Sequence, residues 1–121
     1  MCKRGDIYFV DFGRRASGSL QCGPRPVMVV SNDMANTYSP VVTIIPLTGR
    51  ANKKRSLPTH VLIPAFKGSG LTRPSLALAE QLTSIEKDRL TDYRGYVNDE
   101  LIMAQVTKAM QVQIGAMGTT D

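Results

Sequence analysis

The chain has 121 residues, of which 42% are hydrophobic, and a net formal charge of +5. This composition is typical of one globular domain, residues 1–121, with enough core to fold without disulfides or metals. No run of eighteen apolar residues exists and the N-terminus carries no apolar signal region, so we expect no membrane contact and a cytoplasmic location. Cys2 and Cys22 are isolated, which fits a reducing compartment.

The charge is distributed unevenly along the chain. Residues 1–75 hold eleven Lys or Arg and three acids, whereas residues 76–121 hold four basic and seven acidic residues. Between residues 13 and 73, the sequence has nine basic residues and a single acidic residue, Asp33. This asymmetry favours an anionic partner, nucleic acid first, although a solvated basic face gives the same pattern.

The first half of the chain predicts four short strands. Their apolar, β-branched and aromatic runs cover residues 7–12, 27–30, 41–48 and 60–63. A polar Gly/Ser loop, 13–23, separates the first two strands, and a strongly basic loop, 49–58, separates the last two. Capping side chains at 31–33 predict a helical turn through residue 36, and Pro46 predicts a bulge or an edge in the third strand.

The second half predicts a strand at 75–82, in which Glu80 has the parity of the leucines. A carboxylate there lies beyond the core edge or pairs with an arginine. Thr83 and Glu86 fit a capping box and predict a short helix over 83–90, followed by a strand at 94–97. Asn98 then caps a final helix, whose apolar face holds Ile102, Val106, Ala109, Met110 and Met117. The elements predict an α+β, mainly β fold: a small curved sheet or partial barrel with a long C-terminal helix.

Arg25 stands out because Pro24 and Pro26 restrict the backbone around it. Its guanidinium therefore sits where a polar loop meets a buried strand. A surface ion pair would satisfy this pattern as well as a catalytic role does.

Most catalytic chemistries lack their residues in this sequence. His60 is the one histidine, no Cys/His/carboxylate cluster has ligand spacing, and no glycine-rich phosphate loop is present, so we expect no metal and no cofactor. A basic cleft, one arginine and a threonine at a strand end remain. Such a set stabilises a pentacoordinate phosphate while the RNA 2′-hydroxyl attacks the adjacent phosphate.

The order and spacing of several short motifs strongly resemble the MazF/PemK/Kid toxin endoribonucleases. The resemblance covers nearly the whole chain. Its segments are residues 3–11, 18–19, 25–27, 31–33, 38–40, 46–48, 57–61, 80–82 and 88–90, with the C-terminal helix.

The resemblance implies a homodimer of small SH3-like barrels that cleaves single-stranded RNA without metal, leaving 2′,3′-cyclic phosphate and 5′-hydroxyl ends. It places the catalytic residues at Arg25 and Thr48. The implied substrate contacts are Ser19, Gln21, Lys54, His60, Glu80 and Gln81. The implied protein partner is an antitoxin whose acidic disordered tail folds onto the basic surface. Leu20 and Thr83 depart from the family pattern, so the resemblance implies no particular cleavage sequence.

Several alternatives stay open. His60 fits a polar strand-edge residue as well as an RNA contact, and Glu80 and Gln81 fit structural bonds to loop backbone. A gyrase-binding toxin of the CcdB type has the same fold, but it uses a C-terminal Trp-Gly-Ile that this chain lacks. A plain RNA-binding module requires stacking aromatics on its binding face, and the seven aromatics are spread along the sequence.

Overall fold

The computed structural model describes residues 1–13, 22–49 and 57–118. The strands among these residues are β1 (Asp6–Asp11), β2 (Pro24–Val29), β3 (Val41–Thr48), β4 (His60–Ile63), β5 (Ser75–Leu78), β6 (Thr83–Glu86) and β7 (Asp92–Tyr96). The helices are α1 (Asp33–Tyr38) and α2 (Glu100–Gln113), with short 3₁₀ turns at Ala79–Gln81 and Lys87–Arg89. None of the helices in these ranges is long and apolar enough to cross a membrane.

The described strands form one antiparallel sheet in the order β4-β5-β3-β2-β1-β7, with β6 pairing to β3 off this path. The central strand, β3, changes partner along its length. Its first half, Val41–Ile44, pairs with β6, and its last two residues pair with β5. Pro46 lies between these two segments, so the N–H that proline lacks removes no hydrogen bond to β5 or β6. The sheet therefore curves strongly without closing into a full barrel.

Each face of the curved sheet carries its own core. One core contains Ile7, Met28, Ile45 and Leu47 and lies under α2, which contributes Val106 and Ala109. The other core contains Tyr8, Val27, Val29 and Ile44 and is closed by Ile85 of β6. Residues alternate between these faces along β1, β2 and β3, as strand geometry requires.

The N-terminal segment ties α2 to the sheet through Arg4. Its guanidinium donates to the carbonyl of Val30, which directly follows β2, and to the hydroxyl of Thr107 on α2. The Arg4 backbone N–H donates to the Asp33 carboxylate at 2.7 Å. One residue thus joins three elements, which sets the position of α2 over its core.

The prediction of a mainly β fold with a curved sheet and a long C-terminal helix is confirmed. The prediction of a helix over 83–90 is wrong: Thr83–Glu86 is β6, because it pairs with Val41–Ile44, and only a 3₁₀ turn follows. The predicted strand at 75–82 ends at Leu78 and continues as the Ala79–Gln81 turn.

The C-terminal helix also differs from its prediction at both ends. The N-cap is Asp99, whose side chain accepts from the N–H of Ile102, rather than Asn98. Met117 lies beyond the end of α2 and is 39% exposed, so its predicted place on the core face is wrong. The rest of that face, from Ile102 to Met110, packs as predicted.

Candidate active site

Arg25 lies near the start of β2 and Thr48 at the end of β3, and the antiparallel pairing brings these two strand ends to the same end of the sheet. Strand β2 pairs with β3 so that Val27 lies opposite Pro46. Continued to the ends of both strands, this antiparallel register sets Arg25 opposite Thr48. Both residues belong to the face that carries Val27, so their side chains leave the sheet on the same side. By this extension of the register, the two predicted catalytic residues would be cross-strand neighbours at one end of the β2–β3 pair.

The turn before β2 holds the Arg25 side chain in place. Its Nε donates to the carbonyl of Cys22 at 2.9 Å, and the side chain is partly buried. Among the residues that the structure describes, the two terminal nitrogens of this guanidinium have no hydrogen-bond partner. Arginine carries five donors in a planar fork that matches phosphate oxygens. The fork of Arg25 is thus oriented by its own loop and keeps its phosphate-binding end available.

The loop that precedes Arg25 is closed by two backbone hydrogen bonds. The N–H of Phe12 donates to the carbonyl of Gly23 at 3.0 Å, and the N–H of Gly23 donates to the carbonyl of Gly13 at 2.8 Å. The φ angles of Gly13 and Gly23 are positive, +76° and +69°, and other residues rarely adopt such angles. This narrow neck fixes the positions of Gly13 and Gly23, which lie on either side of residues 14–21 in the sequence.

Thr48 is the last residue of β3 and is 2% exposed. It pairs with Leu76 of β5, and β2 pairs with β3 as far as Pro46, two residues earlier. Its position is therefore set by the middle of the sheet rather than by a loop. A hydroxyl on such a rigid element is well suited to positioning a substrate group opposite Arg25.

His60 at the start of β4 and Glu80 in the turn after β5 form a second cluster, together with Thr59. The Glu80 carboxylate accepts from the Thr59 hydroxyl at 2.9 Å and contacts His60 Nε2 at 2.8 Å. His60 Nδ1 accepts the backbone N–H of Leu57 at 3.3 Å, so the neutral imidazole carries its proton on Nε2 and donates it to Glu80. The side chains of His60 and Glu80 are 4% and 29% exposed.

This cluster ties the end of the basic loop to the Ala79–Gln81 turn. The N–H of Ala79 also donates to the carbonyl of Thr59, at 3.0 Å. Both ring nitrogens of His60 are engaged within the protein, whereas the Glu80 carboxylate retains lone pairs and solvent access. The partners of Glu80 are thus Thr59 and His60 rather than an arginine. Of this set, Glu80 is the most exposed.

Gln81 follows Glu80 on the same 3₁₀ turn and is partly buried. The other three predicted substrate contacts, Ser19, Gln21 and Lys54, lie outside the described residues. In residues 1–13, 22–49 and 57–118, no three His, Cys, Asp or Glu side chains converge on a point that would hold a metal ion.

Comparison with known proteins places this geometry in a family. A family model described as a PemK-like, MazF-like toxin of type II toxin-antitoxin systems matches residues 3–114. The chain belongs to this toxin family. Endoribonuclease EndoA of Bacillus subtilis (strain 168) is 43% identical over 112 residues, which cover 93% of each chain.

Two further PemK/MazF-type relatives support the match. Endoribonuclease MazF of Staphylococcus saprophyticus is 39% identical over 115 residues, covering 95% of this chain and 92% of that one. A solved mycobacterial endoribonuclease in complex with its cognate antitoxin aligns with a TM-score of 0.76 at 27% identity, covering 97% of this chain and 98% of that chain. The resemblance drawn from the short motifs is therefore confirmed along the chain.

One member of the site in this PemK/MazF-type chain was missing from the sequence predictions. Thr59 is 8% exposed and holds the Glu80 carboxylate, yet no local pattern marks it. The one available signal was the parity of Glu80, which required a polar end to an otherwise leucine-lined face. That signal locates a polar contact but does not identify the partner.

Proposed function

We propose that this chain is the toxin of a type II toxin–antitoxin pair and cleaves single-stranded RNA, with messenger RNA in the cytoplasm as its target. The observation that supports the proposal is the β2–β3 register, in which Val27 lies opposite Pro46; extended to the strand ends, it sets Arg25 opposite Thr48. The relatives that are 43% and 39% identical are named endoribonucleases, which favours an enzyme over a gyrase-binding toxin.

The chemistry we propose is an internal transesterification. The ribose 2′-oxygen attacks the adjacent phosphorus, the bond from phosphorus to the 5′-oxygen breaks, and a proton moves from the 2′-hydroxyl while another reaches the leaving oxygen. The products are a 2′,3′-cyclic phosphate and a 5′-hydroxyl. RNA brings its own nucleophile, so the reaction requires positioning and charge stabilisation but no metal or cofactor.

Arg25 carries the charge stabilisation in this proposal. Negative charge builds on the equatorial phosphate oxygens as the phosphorane forms, and the free end of the guanidinium fork stabilises it. Arginine stays protonated at any physiological pH, so the stabilisation does not depend on titration. Thr48, held rigidly at the end of β3, positions the reacting phosphate against that fork.

Substrate specificity in this proposal comes from the surrounding loops. Ser19 and Gln21 belong to the first loop, Lys54 to the basic loop, and His60, Glu80 and Gln81 to the cluster beside it. Glu80 accepts hydrogen bonds only, which suits the amino groups of adenine, cytosine or guanine. His60 supports Glu80 in that orientation through the contact at 2.8 Å. Splayed bases of a single strand present those edges.

The assembly we propose is a homodimer that an antitoxin inhibits. Leu62 on β4 and Leu101 on α2, which packs against β4, are 51% and 78% exposed, which favours association through apolar surface. The mycobacterial structure is a complex with its cognate antitoxin. An acidic antitoxin tail complements the positive charge of residues 13–73.

The test is a cleavage assay with purified protein on single-stranded transcripts in EDTA. We expect cutting, roughly a hundredfold or greater loss of kcat in Arg25→Ala, and a lower kcat with little change in RNA affinity in Thr48→Ala. Lys108→Ala, on the exposed side of α2, removes a charge elsewhere and serves as control. Full activity of Arg25→Ala with a native circular dichroism spectrum would remove Arg25 from the mechanism.

A further inference from the structure

A cavity of about 300 Å³ opens at the start of β2 and the end of β3, where Arg25 and Thr48 lie, but on the opposite face of the sheet from Thr48. Its walls include Phe9 and Leu47, which alternate with Val10 and Thr48 and therefore point away from the Thr48 side. This is the face that α2 covers further along the sheet. The cavity thus occupies the uncovered end of that face.

The charge of this cavity is entirely positive. Arg73 and Arg94 line it, Arg25 at the start of β2 borders it as well as the Thr48 side of the sheet, and none of the described lining residues is acidic. Ser75 adds a hydroxyl, and Leu71 adds apolar wall. Clustered like charges around a concave surface raise the local concentration of an oppositely charged ligand.

Arg73 is the least committed of the three. It is exposed, and its guanidinium has no hydrogen bond or ion pair with any described residue. The side chain lies against Gly49, where a Cβ atom would stand 2.5 Å from the Arg73 Nε. Gly49 directly follows Thr48, so the Arg73 Nε is within about 8 Å of the Thr48 Cα, given a Cα spacing of ~3.8 Å.

Arg94 is held more firmly. Its Cζ stands 4.3 Å from the centroid of the Phe9 ring, a cation–π contact that keeps the guanidinium over the cavity wall. Its Nη2 is 2.9 Å from the Asp92 carboxylate, and the two side chains are 43% and 52% exposed. Asp92 therefore neutralises part of the charge of Arg94, while Arg73 keeps all of its own.

We propose that Arg73 and Arg94 bind, in this cavity, the phosphate of the RNA strand that is next to the scissile linkage. The inference rests on the proposed function. The planar forks suit phosphate oxygens, and Arg73 is close enough to Thr48 for a neighbouring nucleotide of the same strand. Because phosphate contacts carry no sequence information, this subsite adds affinity rather than specificity.

The experiment measures RNA binding without cleavage. A short single-stranded RNA of mixed sequence with 2′-O-methyl groups lacks the nucleophile, so fluorescence anisotropy gives its Kd directly at several salt concentrations. We expect Arg73→Gln to raise Kd about fivefold and to lower the slope of log Kd against log salt by about 0.7, the value for one phosphate contact on a single strand. Arg94→Gln should act in the same direction but less strongly.

Two variants serve as controls. Lys108→Gln removes one positive charge from the outer side of α2 and should leave Kd and the slope near the wild type. Arg73→Lys keeps the charge and should keep the slope. Circular dichroism establishes that each variant is folded, and the loss of kcat/KM in Arg73→Gln should come mainly from a higher KM, as expected for a binding subsite.

The outcomes separate this inference from the proposed function. A wild-type protein that neither binds nor cuts RNA removes both. A wild type that binds and cuts, with Arg73→Gln and Arg94→Gln indistinguishable from Lys108→Gln, overturns the subsite and leaves the function intact. Variants that lose affinity for a Glu-rich peptide but not for RNA also overturn it, since the cavity then binds a protein partner.

Discussion

The hydrogen bond between Thr59 and Glu80 gives the sharpest test of what holds the cluster of Thr59, His60 and Glu80 together. Replacing Thr59 by valine keeps the branched shape and removes only the hydroxyl. That hydroxyl is buried and donates to a carboxylate oxygen at 2.9 Å. The valine side chain has no donor to replace this bond, and Glu80 then retains only its contact with His60.

The magnitude follows from the burial of both partners. A hydrogen bond to a charged group contributes about 1.5–3 kcal/mol, and the 29% exposure of the Glu80 side chain lets water replace part of the lost bond. We therefore expect Thr59→Val to lower the free energy of unfolding by about 1–1.5 kcal/mol. Glu80→Ala should cost more, because it also leaves the buried Nε2–H of His60 without its acceptor.

The assay is a double-mutant cycle in urea at one protein concentration, since an oligomer's stability depends on concentration. We expect a coupling energy of about 1 kcal/mol between Thr59→Val and Glu80→Ala, with unchanged m-values. Thr43→Val is the matched control: the Thr43 hydroxyl has no bond to a described residue, so this change should leave stability nearly unaltered. Additivity within about 0.3 kcal/mol would refute the coupling.

Three further predictions concern stability. The Arg4 backbone N–H holds the pKa of Asp33 below its usual range. The Asp33 carboxylate therefore stabilises the fold at pH values above its ordinary pKa, and this contribution disappears as the pH falls. In urea titrations, the difference in unfolding free energy between wild type and Asp33→Asn should shrink on acidification. Burial raises the pKa of Asp6, whose contribution is therefore lost as pH rises, so Asp6→Asn should be neutral or stabilising at neutral pH; a clear destabilisation would contradict this. Gly70→Ala should cost more than about 2 kcal/mol, because φ is +78° and the new Cβ would clash with the carbonyl oxygen of Arg94; an unchanged melting temperature would contradict this.

Elements with a strong local signal were predictable from the sequence. Strand β3 was predicted with its observed ends, because a β-branched run lies between turn residues on both sides. The Asn32 side chain caps α1 by accepting from the N–H of Ala35, within the predicted group of capping residues. In both cases, neighbouring residues supply the deciding interaction.

Elements decided by distant partners were not predictable. Thr83 and Glu86 satisfy the spacing of a capping box, but Ile85 is needed in the second core, and the edge of β3 offers a complete set of backbone partners. The contact of Glu80 with Thr59 spans twenty-one residues, and no periodicity reports it. Similarly, the stack of Arg94 on Phe9 depends on β7 lying beside β1.

Arg25 lies between these two cases. The flanking prolines predicted restricted backbone at the start of a buried strand, and β2 indeed begins at Pro24. Its pairing partner across the sheet required the β2–β3 register, which the sequence alone does not determine. The identity of the residue was thus predictable from local constraint, whereas its relation to Thr48 is a property of the whole sheet.

The two loops that hold the remaining predicted contacts are both fixed at their ends. Gly13 and Gly23 close the neck of the first loop, and the Thr59–Glu80 bond anchors the end of the basic loop. The described residues that flank 14–21 and that follow 50–56 are thus held by hydrogen bonds. We expect a substitution at one of these anchoring bonds to affect all the proposed contacts of its loop, whereas Lys54→Ala removes one proposed contact. Neck variants should accordingly change affinity for all substrates, and loop variants should change the preference among them.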